Sequence, residues 1–232
     1  MTRLRTLSDR LILAILILIL APVTASSQQI LTALEYFDTI GANYADIADY
    51  IAIMTWTDET GSMNGTLFYK NPNLIRIDFD SPEEQVLVSD GELFMIYVPA
   101  FNVVLQQELR DTPGETPGGL ATPEGLAVMR RNFTIAYLEG PEPVPIEEGS
   151  DLLVTQLRLD RKQVTEGFRQ IILSVDETGF IRRILGTKVD WEEVQLDLDD
   201  IEINQNIPTA RFDYPPEADA SIYENFLFQP EG

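Results

Sequence analysis

The side chains of this sequence that could do chemistry are mostly carboxylates. The densest group runs from residue 190 to residue 202, where seven acidic residues occur without a Lys or Arg. Carboxylates at alternate positions can bind Ca²⁺, but an EF-hand loop also needs a Gly at its turn, and this run has none. The pattern therefore favours the solvated face of a strand over a metal site.

Two residue types that dominate enzyme active sites are missing altogether. The 232 residues include no His and no Cys, which excludes Ser-His-Asp triads, thiolate nucleophiles, disulfides and His- or Cys-ligated metals. The sequence also lacks a nucleophile elbow, a phosphate loop and a dinucleotide fingerprint. A carboxylate pair of the glycosidase kind is the remaining enzymatic possibility, and spacing assigns no such pair. We therefore expect no catalytic residue, no metal, no cofactor and no enzyme activity.

The charge of the chain narrows the choice of partners. The sequence has 16 Lys and Arg against 38 Asp and Glu, which gives a formal net charge of -22. This sign repels phosphate backbones and anionic lipid headgroups. Nucleic acid is excluded as a partner, and electrostatic docking of the whole chain to a membrane is disfavoured.

The N-terminus has the pattern of a secretory signal peptide. Three Arg precede residue 11, residues 11–20 are an uninterrupted apolar run, and small residues at Val23 and Ala25 fit a cleavage site. The run is shorter than the roughly 20 residues that span a bilayer. We predict cleavage after Ala25, export to the periplasm, and one domain from residue 26 to residue 232.

The remaining sequence predicts a mainly β domain. Helical spacing indicates an amphipathic helix over residues 28–41 that ends at Gly41, and a short helix is expected over 126–131. Asp90-Gly91 and the two Asp-Glu-Thr-Gly segments predict turns of antiparallel hairpins. An extra residue at Asp199-Asp200 predicts a bulge. Eleven strands are predicted, at 46–57, 65–70, 74–80, 85–89, 92–98, 103–109, 133–139, 151–160, 168–175, 180–187 and 190–203.

An ordered series of short motifs carries a family resemblance. The motifs are Gly65-Thr66-Leu67, Lys70-Asn71-Pro72-Asn73-Leu74-Ile75, Pro82-Glu83-Glu84, Leu87-Val88-Ser89-Asp90-Gly91 and the closing Phe212-Asp213-Tyr214-Pro215-Pro216. In this order and spacing they resemble the LolA-type periplasmic carriers of outer-membrane lipoproteins. The resemblance extends over most of residues 26–222 and is weak over 111–165.

The resemblance implies a fold and a set of partners. The fold is an incomplete, unclosed antiparallel β-barrel of about eleven strands, with helices covering an apolar cavity for the acyl chains of lipoproteins. The relatives receive cargo from an inner-membrane ABC transporter of the lipoprotein-release type and deliver it to an outer-membrane acceptor. We expect a monomeric carrier of this kind. Binding or sensing of another amphiphile, a phospholipid or glycolipid, on the same fold is the alternative.

The resemblance also suggests site residues. In well-studied relatives an Arg before the Pro of the second motif points into the cavity and binds carbonyls of the helical lid; here that position is Asn71. Arg76, five residues on, either has a related role or faces solvent from a strand. An apolar cavity wall is predicted from Met54, Trp56, Leu67, Tyr69, Ile75, Ile77, Phe94 and Ile96.

Overall fold

A computed structural model describes residues 31–108, 121–215 and 219–224. The predicted signal peptide and its cleavage site lie outside these residues. Within these ranges the structure has two α-helices, α1 (Ala33–Ala45) and α2 (Pro123–Asn132). The strands are β1 (Asp49–Asp58), β2 (Gly61–Lys70), β3 (Leu74–Ser81), β4 (Val86–Ser89), β5 (Leu93–Val98), β6 (Val103–Glu108), β7 (Phe133–Tyr137), β8 (Val144–Pro145), β9 (Leu153–Arg161), β10 (Phe168–Asp176), β11 (Ile181–Lys188), β12 (Glu193–Ile203) and β13 (Ser221–Glu224). Two 3-10 helices span Pro99–Phe101 and Thr209–Phe212.

The thirteen strands of the described residues belong to one sheet that does not close. The order is β13-β6-β5-β4-β3-β2-β1-β12-β11-β10-β9-β7, and β8 pairs with β9 beside this path. Neighbouring strands are antiparallel except β13, which runs parallel to β6. The predicted unclosed antiparallel sheet is therefore confirmed. Each of the eleven predicted strands has a counterpart, and the two additional strands, β8 and β13, have only two and four residues.

Helix α1 starts and ends later than the sequence predicted. Its N-cap is Thr32, whose hydroxyl oxygen accepts a hydrogen bond from the Glu35 amide at 3.2 Å. The Glu35 carboxylate accepts one from the Thr32 amide at 2.8 Å, which completes a capping box. The predicted end at Gly41 is wrong because the buried stripe of the helix continues to Tyr44.

The predicted bulge in β12 is confirmed. Ile51 of β1 pairs with Glu202, whereas Ile53 pairs with Asp199, so β12 holds one residue more than β1 over this stretch. Asp200 has φ 48°, a left-handed conformation that fits the extra residue of a bulge. The bulge returns the partly buried Ile201 to the face that packs against the core.

Two hairpin turns of identical sequence use the same hydrogen bonds. In the β1–β2 turn, Asp58 accepts hydrogen bonds from the amide and hydroxyl of Thr60 at 2.8 and 2.6 Å. In the β10–β11 turn, Asp176 accepts from the amide and hydroxyl of Thr178 at 2.9 and 2.6 Å, and from the Phe180 amide. The two Asp-Glu-Thr-Gly segments are therefore turn motifs, as the sequence predicted.

The segment after β12 crosses the outer side of the sheet; we call residues 204–215 the C-terminal segment. The start of the segment is held by buried Asp49 of β1, whose carboxylate accepts hydrogen bonds from the amides of Gln205 at 2.6 Å and Ile207 at 2.9 Å. Lys70 of β2 donates to the Ile207 carbonyl at 2.6 Å. The segment is thus attached to the end of the sheet where β1 begins and β2 ends.

Candidate functional site

The predicted cavity residues lie on one face of the sheet, which we call the inner face. Cross-strand pairs place them together: Leu67 is opposite Ala52 and Ile77, and Tyr69 is opposite Ile75. Six of the eight are buried, while Trp56 and Ile96 are partly buried and pack against the same core cluster. The structure therefore brings all eight together, on the side where the helices pack.

The helices cover this inner face with apolar side chains. Phe37, Ile40 and Tyr44 of α1 and Leu126 and Met129 of α2 belong to the same core cluster as the sheet residues. The interior is filled by these contacts. A narrow apolar cleft of about 10 Å³ remains, lined by Trp56, Phe168, Ile171, Ile184, Gly186, Val194 and Leu196.

Three tyrosines bring hydroxyl groups into the interior. The rings of Tyr50 and Tyr69 are 5.1 Å apart, and Tyr44 meets Tyr50 edge-on at 6.3 Å. Burial raises the pKa of all three phenols, so they are neutral hydrogen-bonding groups at physiological pH. Tyr44 accepts a hydrogen bond from the Ile181 amide at 3.1 Å, and Tyr69 donates to the Pro72 carbonyl at 3.0 Å.

Tyr50 connects the sheet to helix α2. Its hydroxyl donates to the carbonyl of buried Ala121 at 3.1 Å. Ala121 precedes Thr122, the N-cap of α2, whose hydroxyl oxygen accepts from the Gly125 amide at 3.1 Å. The two-residue period of a strand puts Tyr50 on the same face as Met54 and Trp56, but nothing in the sequence pattern identifies its hydrogen-bond partner.

The other end of α2 is held by exposed contacts. Arg130 forms an ion pair with Asp38 of α1 at 2.7 Å, with both side chains about half exposed. Lys162, in the β9–β10 loop, donates to the Arg131 carbonyl at 2.9 Å. Exposed ion pairs contribute little to stability. The buried Tyr50 hydroxyl is therefore the better-protected polar attachment of α2.

Asn71 and Arg76 both bond away from α2. Asn71 lies in the exposed β2–β3 turn, where its side-chain amide donates to the Ile47 carbonyl at 3.4 Å. Arg76 is on the outer face, where it pairs with Asp78 at 2.7 Å and donates to the Arg211 carbonyl at 3.0 Å. Arg76 therefore lies under the C-terminal segment, on the face opposite the tyrosines.

Two of the sequence motifs meet at the β2–β3 and β4–β5 turns. Gly91 has φ 91°, and a Cβ at this position would overlap the side-chain amide of Asn73. Gly65 likewise has no room for a side chain, because a Cβ would overlap the Asp78 carbonyl oxygen. These motif residues are explained by close packing between neighbouring strands and turns.

The described residues contain no group of three or more acidic side chains placed to hold a metal ion. Within the same residues, no helix is long and apolar enough to cross a membrane. Asp197 and Asp199 of the acidic run pair with Arg183 and Arg182 of β11. The candidate site is therefore the apolar inner face under the helices.

The fold and this inner face define a small β protein whose apolar interior is covered by helices. Residues 54–215 match the family described as outer membrane lipoprotein carrier protein LolA. The chain belongs to this family. The matched region contains all eight predicted cavity residues, Asn71 and α2.

Relatives of similar sequence agree with this assignment, and a solved structure shares the fold. An outer-membrane lipoprotein carrier protein of Serratia proteamaculans is 27% identical over 154 residues, which cover 66% of this chain and 66% of the relative. The carrier of the same name from Haemophilus influenzae is 25% identical over 159 residues, covering 68% and 69%. An uncharacterized conserved protein from Thermus thermophilus has the same fold, with a TM-score of 0.53 at 14% identity, covering 83% of this chain and 98% of that one.

Proposed function

We propose that this protein is a periplasmic carrier that encloses the acyl chains of lipoproteins and moves them from the inner to the outer membrane. The observation that carries the proposal is the helix-covered apolar inner face, within a region that matches the lipoprotein carrier family. The predicted wall residues Met54, Trp56, Leu67, Tyr69, Ile75, Ile77, Phe94 and Ile96 are proposed to contact the acyl chains.

The physical need for such a carrier follows from the cost of exposing acyl chains. Each methylene in water costs about 0.8 kcal/mol, so a multiply acylated lipoprotein exposes tens of kcal/mol of apolar surface in transit. A continuous apolar face removes this cost without covalent chemistry. The absence of His and Cys from the sequence is compatible with that role.

Cargo binding requires the helices to move away from the inner face. The remaining cleft of about 10 Å³ is far smaller than the roughly 300 to 1,000 Å³ of typical ligand pockets. Acyl chains must therefore displace apolar side chains of α1 and α2. Because the helices lose their own contacts, the net affinity for cargo is limited, and cargo can be released to an acceptor.

The proposal includes export and two membrane partners. Residues 1–25 would be removed as a signal peptide, leaving a single domain from residue 26 to residue 232. An inner-membrane ABC transporter of the lipoprotein-release type would load the carrier, and an outer-membrane acceptor would unload it. Asn71 remains the predicted gating position by resemblance, and Tyr50 is the side chain whose hydrogen bond to the α2 cap would have to break on opening.

Native mass spectrometry of the protein exported with its own signal peptide tests the proposal. Co-purification of a triacylated polypeptide is the expected result. The variant Ile96→Gln, on the inner face of β5, should lose cargo. Its neighbour Met95→Gln, on the outer face, should retain cargo because successive strand residues face opposite sides. Phospholipid or glycolipid alone would support the alternative amphiphile, and no bound lipid in any sample would contradict both functions.

A further inference from the structure

The most exposed large apolar side chains of the described residues share one end of the sheet. They are Val164 at 81%, Phe101 at 78% and Trp191 at 69% exposure. Val164 lies in the β9–β10 loop, Phe101 in the β5–β6 turn and Trp191 in the β11–β12 turn. The strand registers place these three turns at the same end, opposite the β2–β3 turn.

Unpaired cations gather at the same end. Among the described residues, five Lys and Arg form no ion pair with a described carboxylate, although acidic residues outnumber basic ones by more than two to one. One of them, Lys70, is at the opposite end of the sheet. The other four are Arg131, Arg161, Lys162 and Arg169.

Uncharged oxygens accept the hydrogen bonds of these four cations: Arg131 donates to the side-chain oxygen of Asn132 at 3.3 Å, and the other three donate to backbone carbonyls. Arg161 donates to the Val164 carbonyl at 3.3 Å, and Arg169 donates to the Val189 carbonyl at 3.3 Å. The Arg169 guanidinium also stacks 3.8 Å above the ring of Trp191. We call Arg131, Arg161, Lys162, Arg169, Val164 and Trp191 the basic rim.

Some acidic side chains near the basic rim are paired, and the others lie mainly on its β12 side. Asp38 pairs with Arg130, and Glu192 pairs with Lys188 at 2.8 Å. Glu166, Asp190 and Glu193 form no ion pair with a described cation, and the Glu59 carboxylate of the β1–β2 turn lies beside that of Glu192. The positive charge of the rim is therefore concentrated on its β9–β10 side, at Arg131, Arg161 and Lys162.

The apolar cleft of the interior lies directly inside this rim. Phe168, which lines the cleft, precedes Arg169 and pairs with Lys188, at the start of the turn that carries Trp191. Gly186 of β11 and Val194 of β12 also line the cleft, and they pair with each other within two residues of that turn. A ligand crossing the rim would reach the inner face over a short distance.

We propose that the basic rim is a docking surface for anionic phospholipid headgroups, with Trp191 and Val164 at the membrane interface. Cations attract an anionic surface, and Trp prefers the headgroup level of a bilayer. The apolar residues lie on separate turns at one end of the sheet. This arrangement fits a flat membrane surface better than it fits a protein partner, because protein interfaces have a continuous apolar core. Passage of acyl chains across the rim rests on the proposed function, whereas headgroup binding does not.

Vesicle flotation with and without phosphatidylglycerol in phosphatidylcholine tests this surface. Wild type should bind the anionic vesicles. The double variant Arg161→Gln/Arg169→Gln should lower partitioning about 25-fold, roughly fivefold for each lost cation. The control Lys70→Gln/Asn73→Asp makes the same change in net charge at the opposite end and should alter partitioning by less than about twofold. Unchanged unfolding midpoints would show that both variants fold.

Three outcomes would overturn the proposal. They are no binding of wild type to anionic vesicles, equal losses in the rim and control variants, and binding that does not depend on phosphatidylglycerol. The variant Trp191→Phe reports the fluorescence of Trp56 alone, and its difference from wild type gives the fluorescence of Trp191. A blue shift of the emission on vesicles is expected for wild type and not for Trp191→Phe. Fatty-acid binding in solution is measured separately: its absence in wild type would contradict the carrier function and leave the docking surface standing.

Discussion

Replacing Tyr50 by Phe should loosen helix α2 and raise the affinity for an acyl ligand. The change removes the 3.1 Å hydrogen bond to Ala121 and leaves a buried carbonyl oxygen without this donor. Loss of such a bond costs about 1 to 2 kcal/mol. If ligand binds only after α2 has moved, this cost falls on the closed state alone, and the apparent affinity rises roughly 5- to 30-fold.

The matched control is Tyr69→Phe. Tyr69 stacks on Tyr50 and loses the same atom, but its hydroxyl donates to Pro72 within the β2–β3 hairpin. It should lower the free energy of unfolding by a similar amount and leave ligand affinity within about twofold, because Phe keeps the ring that is proposed to contact the acyl chains and the lost hydroxyl bond does not involve α2. Titration with a fluorescent fatty acid measures the affinity, urea unfolding measures the stability, and hydrogen exchange at the α2 amides reports local opening.

The reasoning is refuted if both variants change affinity equally, or if Tyr50→Phe leaves the exchange of the α2 amides as slow as in wild type. Faster exchange without a change in affinity would keep Tyr50 as an attachment of α2 and would reject movement of α2 as the step that admits ligand.

Three further predictions follow from the contacts described above. The free energy of unfolding should fall above pH 10, because burial raises the folded-state pKa of Tyr44, Tyr50 and Tyr69, and the stability that this gives below the unfolded-state pKa is lost as pH rises toward the folded-state pKa. The slope is about 1.4 kcal/mol per pH unit for each of the three. Urea unfolding measured against pH should show that each Tyr→Phe variant releases one proton fewer on unfolding than wild type. Asp49→Asn should cost about 2 kcal/mol in urea unfolding because one of two acceptor oxygens for the C-terminal segment is lost, whereas exposed Asp46→Asn should change little. Gly65→Ala should displace β3 and lower the melting temperature, and an unchanged melting temperature would contradict the close approach to Asp78.

The sequence predicted the parts of the fold that depend on local pattern. Alternation along β1 placed Met54 and Trp56 on one face, and the pairing of β1 with β2 and β12 confirms that face as the inner one. The parity change after Leu198 predicted the bulge at Asp200. These features follow from the two-residue period of a strand, which is legible without tertiary information.

The features that the sequence did not predict depend on distant contacts. Nothing in the pattern joins Tyr50 to Ala121, which lie 71 residues apart. Strand β13 is only four residues long, all of them exposed, and it forms through pairing with β6. Gly41 has open space around it in the structure, so its expected role as a helix stop was overridden by burial of Tyr44. In each case tertiary packing decides what local propensity leaves open.

The C-terminal segment makes the two halves of the open sheet mechanically unequal. Its Arg211 pairs with Asp78 of β3 and stacks on Phe68 of β2, and its Tyr214 packs against Tyr97 of β5. These contacts brace the outside of β2 to β5. The curvature of an unclosed sheet is not fixed by closure of its hydrogen-bond ladder. We therefore expect the braced half to stay fixed when the interior expands for a ligand, and the strands from β12 to β7, with the helices, to move.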